Sequence, residues 1–207
     1  MKLKPRNTPW LPTSIALVTA IGLLTGCKSN PACCPAKTVS TATPPPTAAP
    51  ASKPAPTFAA IRIKTGISAP FTDSSGNVWL ADRGFADGDT VERPEVTVEN
   101  TKDPGIYRAE RYAMSSFSQP LPNGNYVVKL HFAETFEGIN GPGQRVFSFN
   151  VEGKEFKDFD VWVKAGGFAR AYVETVNVDI ADGQLDVKFT PNIENPQING
   201  IEIIPLP

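Results

Sequence analysis

The feature that most constrains the fold is an alternation of apolar and polar residues with a period of two, which recurs between residues 58 and 207. Segment 126–132 shows it clearly, because apolar residues occupy every second position: Tyr126, Val128, Leu130 and Phe132. Successive side chains of a strand point to opposite faces, so this spacing predicts an antiparallel strand with one buried face. The same spacing recurs in segments 147–151, 176–180 and 185–189.

Turn signals rich in Gly and Asn separate these segments, at positions 75–77, 122–125, 152–154 and 182–183. No stretch has the apolar spacing of a long amphipathic helix, and segment 159–172 has the least regular pattern. The sequence therefore predicts an all-β fold, a jelly-roll β-sandwich of antiparallel strands. Residues 58–207 are numerous enough for one sizeable core.

Residues 1–27 have the features of an export signal. Basic residues begin the chain, and an apolar run from Ile15 to Leu24 follows, which is too short for a transmembrane helix. The run ends in Leu-Thr-Gly-Cys, which resembles a bacterial lipoprotein signal in which Cys27 is diacylated and becomes the mature N-terminus. An ordinary cleaved signal with an incidental Cys is the alternative. The signal predicts a lipid anchor in a bacterial cell envelope, and Lys28 favours the outer membrane by analogy with enterobacterial sorting.

Residues 28–57 are predicted to be a disordered linker. Pro, Ala, Ser and Thr occupy 22 of the 27 positions from 31 to 57, so the segment has too few bulky apolar side chains to form a core. A Pro-rich chain favours extended polyproline II, which would hold residues 58–207 away from the membrane. All the cysteines lie in the first two segments, so residues 58–207 contain no disulfide framework and no Cys-based metal site: Cys27, Cys33 and Cys34.

The composition argues against several classes of function. Twenty basic and 21 acidic residues nearly cancel, which argues against nucleic-acid binding. His131 is the one histidine and lies mid-strand, so we interpret it as a surface residue, with neither a nucleophile partner nor fellow metal ligands. Segment 82–89 is dense in carboxylates but does not match an EF-hand, which leaves structural calcium as a minor alternative. We predict no cofactor and no metal.

Aromatic, Arg, carboxylate and amide groups collect where the predicted strands end. Tyr112 follows Glu110 and Arg111, Phe136 lies just beyond the 126–132 strand, and Glu194-Asn195 precedes the last strand. Aromatic faces pack on the apolar face of a sugar ring, while Arg, carboxylate and amide groups make planar hydrogen bonds to neighbouring hydroxyls. This mixture predicts a sugar-binding surface.

Five ordered segments resemble the malectin family, a jelly-roll carbohydrate-binding domain: 71–82, 107–112, 131–134, 145–153 and 195–203. The resemblance implies a cleft for glucose disaccharides, made of aromatic residues and one acidic residue. Carried over position by position, the implied cleft contains five residues of this chain: Phe85, Tyr112, Thr135, Phe136 and Glu194. Thr135 stands where the family has an aromatic residue, and Glu194 stands where it has an Asp.

The sequence thus predicts a lipid-anchored, exported, non-catalytic protein that binds a glucan-type saccharide through residues 58–207. Tyr112, Phe136 and Phe85 are expected to stack on sugar. The residues expected to bond hydroxyls, or to orient those that do, are Arg111, Glu134, Glu194 and Asn195. Two alternatives remain: a glycoside-active enzyme with Glu134 or Glu194 as its carboxylates, and a cell-surface scaffold that binds a protein partner.

Overall fold

The computed structural model describes residues 58–207. The predicted signal at 1–27, including Cys27, and the predicted linker at 28–57 lie outside the described residues. The strands of the described part are β1 (Ile61–Lys64), β2 (Phe71–Thr72), β3 (Val78–Trp79), β4 (Phe85–Ala86), β5 (Asp89–Glu92), β6 (Ala109–Tyr112), β7 (Ser116–Pro120), β8 (Gly124–Phe132), β9 (Val146–Val151), β10 (Lys154–Phe159), β11 (Tyr172–Ile180), β12 (Gln184–Ile193), β13 (Gln197–Ile198) and β14 (Gly200–Pro205).

Helical structure in this part of the chain is short. A 3₁₀ turn covers Pro104–Ile106, and helix α1 covers Val161–Ala165, inside the segment whose sequence pattern is least regular. Asp160 caps the helix, because its carboxylate accepts a hydrogen bond from the backbone N–H of Val163. Across residues 58–207, no helix has both the length and the apolar character needed to cross a membrane.

Two antiparallel sheets form a β-sandwich, as the period of two predicts. One has the strand order β1-β14-β8-β11 and the other β10-β9-β12-β7-β4. The longest pairing joins β8 to β11, from Phe132 opposite Tyr172 to Gly124 opposite Ile180. A three-stranded sheet of order β13-β6-β5 and the β2-β3 hairpin complete the described strands.

The core lies between the two large sheets and consists of the residues that alternate in the sequence. The predicted inward face of β8 is buried along its whole length, and Val128, Leu130 and Phe132 are fully covered. Phe132 meets Phe147 and Phe149 of the opposite sheet, with ring centroids 6.1 and 5.9 Å apart. Each side chain of this size contributes about 1.5–3 kcal/mol on burial, so the inward-facing residues dominate the stability of the sandwich.

The interpretation of His131 as a surface residue is wrong, since the side chain is only 6 % exposed. It lies on the other face of β8, which a second apolar cluster containing Trp79 and Tyr107 covers. The Trp79 ring meets the imidazole edge-on at 5.1 Å. Because a carboxylate only accepts, Nε2–H donates to Glu202 at 3.0 Å, and Nδ1 lies within hydrogen-bond distance of the Tyr107 hydroxyl, at 2.9 Å.

Asp73 closes the β2-β3 hairpin that covers His131. Its carboxylate accepts hydrogen bonds from the backbone N–H groups of Ser75 and Asn77 and from Nε1 of Trp79, at 2.8–3.0 Å. Burial acts to raise the pKa of Asp73, but the hydrogen bonds from Trp79, Asn77 and Ser75 outweigh it and lower the pKa from 3.8 to about 2.

Replacing Asp73 by Asn should therefore flatten the acid dependence of stability. A lowered pKa in the folded chain stabilises it above the unfolded value of 3.8, and this stabilisation is lost as the pH falls towards about 2. Urea midpoints measured over this range should fall less steeply for Asp73→Asn than for the wild type. Asp179→Asn, at an exposed position on β11, should keep the wild-type slope. Equal slopes for the wild type and Asp73→Asn would contradict this account.

Candidate functional site

A cleft of ≈ 270 Å³ brings strand ends from distant parts of the sequence together. Its volume is near the lower end of small-molecule pockets, roughly 300–1,000 Å³. The lining residues come from β5, β6, the chain after β8, the start of β9 and the turn after β12: Val91, Arg93, Glu110, Tyr112, Phe136, Arg145, Glu194 and Asn195. Four of the residues predicted to bind sugar are among them: Tyr112, Phe136, Glu194 and Asn195.

Strand β6 positions Tyr112 in the cleft. The strand is the middle one of its sheet, and Tyr112 lies opposite Asp89 of β5 and Gln197 of β13. Alternation along β6 places Tyr112 and Glu110 on the face towards the cleft, and Arg111 on the other face. Pairing on both sides fixes the backbone, so the tyrosine ring is presented by a rigid element.

Phe136 follows the end of β8 and is 45 % exposed. Its backbone N–H donates to the Glu134 carboxylate at 3.0 Å, which fixes the direction of the chain. Its ring lies over the backbone at Gly138, where any Cβ would overlap the ring. The Arg93 guanidinium carbon lies 5.7 Å from the ring centroid, within the range of a cation–π contact. Phe136 thus offers an aromatic surface supported from behind.

Glu134 lies behind the wall of the cleft and has no exposed surface. Nε of Arg145 donates to its carboxylate at 2.7 Å, and Nη1 of Arg145 donates to the Asn195 carbonyl at 2.7 Å. Burial raises the pKa of Glu134, while the Arg145 charge and the hydrogen bond from Phe136 act in the opposite direction. The buried pair connects the end of β8, the start of β9 and the turn that carries Glu194 and Asn195.

Thr135 also lies within the wall, since it is 1 % exposed. Its hydroxyl donates to Glu110 at 3.1 Å and accepts from Nη1 of Arg93 at 3.2 Å. Arg93 in turn forms an ion pair with Glu110 at 3.0 Å. Thr135 therefore anchors two lining residues and offers no surface to a ligand.

The turn after β12 brings Glu194 and Asn195 to the mouth of the cleft, and both side chains are exposed. Glu194 has φ = 62°, in the left-handed region that residues with a Cβ adopt rarely. Its carboxylate accepts hydrogen bonds from the Asn195 backbone N–H and from Nδ2 of the Asn195 side chain, at 3.2 and 3.1 Å. The two side chains therefore act as one polar group.

The structure places Arg111 and Phe85, which were also predicted to bind sugar, away from the cleft, since neither of them lines it. Nε of Arg111 donates to Asp82 at 3.1 Å, and Nη1 donates to the carbonyl of Gly88 at 3.0 Å. The Phe85 ring packs on Phe117 with centroids 4.9 Å apart, and the Arg111 guanidinium lies 5.5 Å from its centre. Both residues stabilise the loop between β3 and β5.

Four lining residues were not among the residues predicted to bind sugar: Val91, Arg93, Glu110 and Arg145. Arg145 lies in one of the segments that carry the family resemblance, but nothing in its spacing marks it as part of a site. Val91 of β5 is paired with Glu110 of β6, and the N–H of Arg93, just after β5, donates to the carbonyl of Arg108, just before β6, at 2.7 Å. Their proximity to Tyr112 could have been predicted only from the exact register of β5 on β6.

The groove across β9, β10 and β12 is less suited to sugar. It is more open, with a volume of ≈ 470 Å³, and its one aromatic residue, Phe149, is only 2 % exposed. Within residues 58–207, no three His, Cys, Asp or Glu side chains are arranged to hold a metal ion. In the carboxylate-rich segment 82–89, Asp82 bonds Arg111 and Gly66, while Asp87 accepts from the Ser115 hydroxyl.

Comparison with known proteins identifies a family and several relatives. The sequence model of the malectin domain matches residues 59–202. Receptor-like protein 4 of Arabidopsis thaliana is 31% identical over 160 residues, which cover 67% of this chain and 26% of that protein. A probable LRR receptor-like serine/threonine-protein kinase of the same plant is 33% identical over 130 residues, covering 56% of this chain and 14% of the kinase. The chain thus spans about a quarter or less of these relatives.

Solved structures share the fold at low sequence identity. A plant receptor-like kinase, FER, superimposes with a TM-score of 0.61 at 23% identity, covering 72% of this chain and 42% of that chain. A complex of the plant peptide RALF23 with FER and LLG2 gives a TM-score of 0.61 at 18% identity, covering 70% and 48%. A β-glucuronidase of Bacteroides uniformis gives 0.65 at 18% identity, covering 72% and 18%.

Removing the Arg145 charge should destabilise the chain strongly. An Arg145→Met variant leaves the Glu134 carboxylate buried without its partner, which costs about 3–5 kcal/mol of unfolding free energy. Lys157→Met is the matched control, because the Lys157–Glu155 pair is exposed, and loss of such a pair costs about 0–1 kcal/mol. Urea unfolding at neutral pH measures both changes, and equal losses in the two variants would contradict a structural role for the buried pair.

The destabilisation of Arg145→Met should become smaller as the pH is lowered. Burial raises the pKa of Glu134 above its unfolded value of 4.5, so the contribution of this group to stability is fully present below 4.5 and is lost as the pH rises through the folded pKa. Repeating the unfolding at mildly acidic pH checks this sign. A loss that grows on acidification would show that Glu134 is not the group responsible.

Proposed function

Because the chain belongs to the malectin domain family, we propose that residues 58–207 bind a saccharide in the cleft of Tyr112 and Phe136. The observation that carries this proposal is the meeting of two aromatic rings with the guanidinium of Arg93 and the Glu194–Asn195 pair in one cleft. These residues come from four separate parts of the chain. A protein site for sugar requires this combination of flat apolar surface and planar polar groups.

Each wall of the cleft has a distinct task in the proposed binding mode. Tyr112 and Phe136 pack against the C–H faces of the sugar rings. Arg93, Glu194 and Asn195 donate to or accept from hydroxyl groups, and a guanidinium or carboxylate can bond two neighbouring hydroxyls at once. The ion pairs behind the wall hold these groups in place before the ligand arrives, which reduces the ordering cost of binding.

The proposed ligand is a glucan-type oligosaccharide or polysaccharide. The family resemblance suggests glucose disaccharides. At one position, however, this chain lacks the aromatic residue of the family. Thr135 is buried within the wall, so no ring stands beside Phe136 at that point. The aromatic surface of the cleft is accordingly limited to Tyr112 and Phe136, which supports a saccharide ligand without fixing its linkage.

The burial and the hydrogen bonds of the carboxylates near the cleft favour a binding role over catalysis. Glycoside hydrolysis needs two carboxyl groups flanking the scissile bond. Glu134 has a raised pKa, as a general acid would, but it is buried and its oxygens bond Arg145 and Phe136. The oxygens of Glu110 bond Arg93 and Thr135, which leaves Glu194 as the exposed carboxylate of the cleft. The match to the β-glucuronidase covers only 18% of that enzyme.

A protein-binding role is the second candidate. It is favoured by the similarity to FER, a solved complex of which contains the peptide RALF23 and LLG2. The cleft argues for sugar as the first candidate, because its aromatic and planar polar groups line a concave site rather than a broad apolar patch.

We further propose that the chain is exported and held in a bacterial cell envelope by a lipid on Cys27, in the outer membrane rather than the inner one. The support is the sequence Leu-Thr-Gly-Cys at the end of the apolar run, together with the Pro-rich linker that follows. A long extended linker would let residues 58–207 reach a saccharide at some distance from the membrane.

Truncating either aromatic ring should weaken saccharide binding. Tyr112→Ala and Phe136→Ala in the full chain should each lower the affinity roughly tenfold, the size of one lost stacking surface. Val78→Ala, at an exposed apolar residue outside the cleft, is the control and should bind as the wild type does. A glycan array followed by calorimetry on the best ligand measures these changes. Absence of any glycan bound by the wild type would overturn the proposal.

The same ligand separates binding from catalysis. Prolonged incubation with the wild-type chain should leave the bound glycan intact, as judged by mass spectrometry. Formation of a hydrolysis product that disappears in Glu194→Gln would show instead that the cleft is an active site.

Acylation of Cys27 can be tested in a bacterial host. The wild-type chain should incorporate a labelled fatty acid, and Cys27→Ser should incorporate none. Cys33→Ser and Cys34→Ser are matched controls, because they remove a nearby thiol and should leave the labelling unchanged. A wild-type chain without fatty acid would exclude the anchor.

A further inference from the structure

A second aromatic surface lies next to the candidate cleft and has no part in the site described above. Trp162 of α1 and Phe168 have ring centroids 6.4 Å apart, and Phe168 is 37 % exposed. Together with three residues of the chain after β8, they line a shallow groove of ≈ 240 Å³: Glu137, Ile139, Asn140, Trp162 and Phe168. We refer to these five residues as the Trp162 groove.

The Trp162 groove is held in shape by hydrogen bonds across its base. Asp160 accepts from the backbone N–H of Val163 at 3.1 Å and from that of Gly143 at 2.6 Å, so one carboxylate joins α1 to the loop after β8. The N–H groups of Gly166 and Gly167 both donate to the Trp162 carbonyl, at 3.0 and 2.9 Å. With Gly166 in the left-handed region, this turn reverses the chain and brings Phe168 beside Trp162.

The groove adjoins the cleft along the chain after β8. Phe136 lines the cleft and the next residue, Glu137, lines the groove. The Phe136 ring lies over Gly138, and the N–H of Ile139 donates to the Phe136 carbonyl at 2.9 Å, which packs the two surfaces against each other. On the other side of the groove, the N–H of Ala169 donates to the Glu134 carbonyl at 2.7 Å. The residues after β8 therefore form a common wall of both surfaces.

We propose that the Trp162 groove is a second saccharide subsite, which holds the part of a longer oligosaccharide that extends beyond the cleft. This inference rests on the proposed function of the cleft and adds a preference for chain length. Trp162 and Phe168 supply aromatic surface for sugar rings. The Glu137 carboxylate and the Asn140 amide lie at the same groove and supply hydrogen-bonding groups.

A saccharide fits this surface better than a protein partner does. Stable protein interfaces bury broad areas with an apolar centre, about 800 Å² on each partner. The Trp162 groove is instead small, has a carboxylate and an amide among its lining residues, and is linked by consecutive chain residues to a cleft with the same kinds of groups. The occupant of the groove is therefore the continuation of the ligand that fills the cleft.

The test is a series of α- and β-linked glucose oligomers, from disaccharide to hexasaccharide, measured by calorimetry against the full chain in detergent. Wild-type affinity should rise with length. Phe168→Ala and Trp162→Ala should each abolish that rise, with roughly fivefold to tenfold weaker binding of the longest oligomers and unchanged binding of the disaccharide. Val163→Ala is the matched control, because Val163 is 60 % exposed on the same helix and does not line the groove.

A measurement on the unaltered chain guards against misfolding of the variants. Long oligomers should shift the fluorescence emission of the half-buried Trp162 to the blue, and the disaccharide should leave that emission unchanged. Length-independent affinity, or a length effect that survives both aromatic substitutions, would overturn the second subsite while leaving the cleft proposal standing. Concentration-dependent self-association that Phe168→Ala removes, without a length effect, would also overturn it and assign the groove to a protein partner. If the wild type binds no oligomer of any length, the cleft proposal fails together with the subsite.

Discussion

The buried ion pair between Glu134 and Arg145 connects the irregular segments around the candidate cleft. Through the two charged side chains and the Glu134 carbonyl, hydrogen bonds reach Phe136, Asn195 and Ala169. These residues carry, or directly precede or follow, the exposed groups of the cleft and of the Trp162 groove. Without the pair, the segments would be loops held only by their flanking strands.

Burying such a pair costs desolvation free energy but orders the surrounding backbone. Removal of two charges from water is unfavourable, and the raised pKa of Glu134 reports that cost. The Arg145 guanidinium offsets it, because its hydrogen bonds in a fixed plane satisfy both a carboxylate and a backbone carbonyl. As a result, the backbone that carries the exposed side chains is ordered before any ligand binds. A binding site built on strand ends needs this order. The second layer of Arg93, Glu110 and Thr135 extends the same arrangement.

The strands of the sandwich could be predicted from residue order because burial of alternate side chains is a local pattern. The inward face of β8 is buried at every predicted position, and Phe147, Phe149 and Val151 of β9 behave in the same way. The burial of His131 could not be predicted by the same reasoning. Alternation places this residue opposite the core, and a second apolar cluster, with Trp79 from the β2-β3 hairpin and Tyr107, makes that face an interior too.

The candidate site was predictable where its residues follow directly from a strand end, and unpredictable where they depend on pairing. Phe136 and Glu194 were found because they follow strands, and Tyr112 because it ends one. Arg93 and Val91 were missed, since they reach the cleft only through the register of β5 on β6. Arg111 lies outside the cleft because successive side chains of β6 point to opposite faces, and Phe85 lies outside it because β4 pairs with β7 in the five-stranded sheet.

The amino-acid sequence alone determined that residues 58–207 form a sandwich with alternating core residues, and that its strand ends carry aromatic and planar polar groups. These properties follow from the order of residue types within short segments, which can be read without knowing the fold. Tertiary structure alone decided which of those groups face one cleft, which lie buried behind it, and that a second aromatic surface continues beside Phe136. Those outcomes depend on contacts between segments far apart in the chain, whose relative positions are set by sheet register and by the buried Glu134–Arg145 pair.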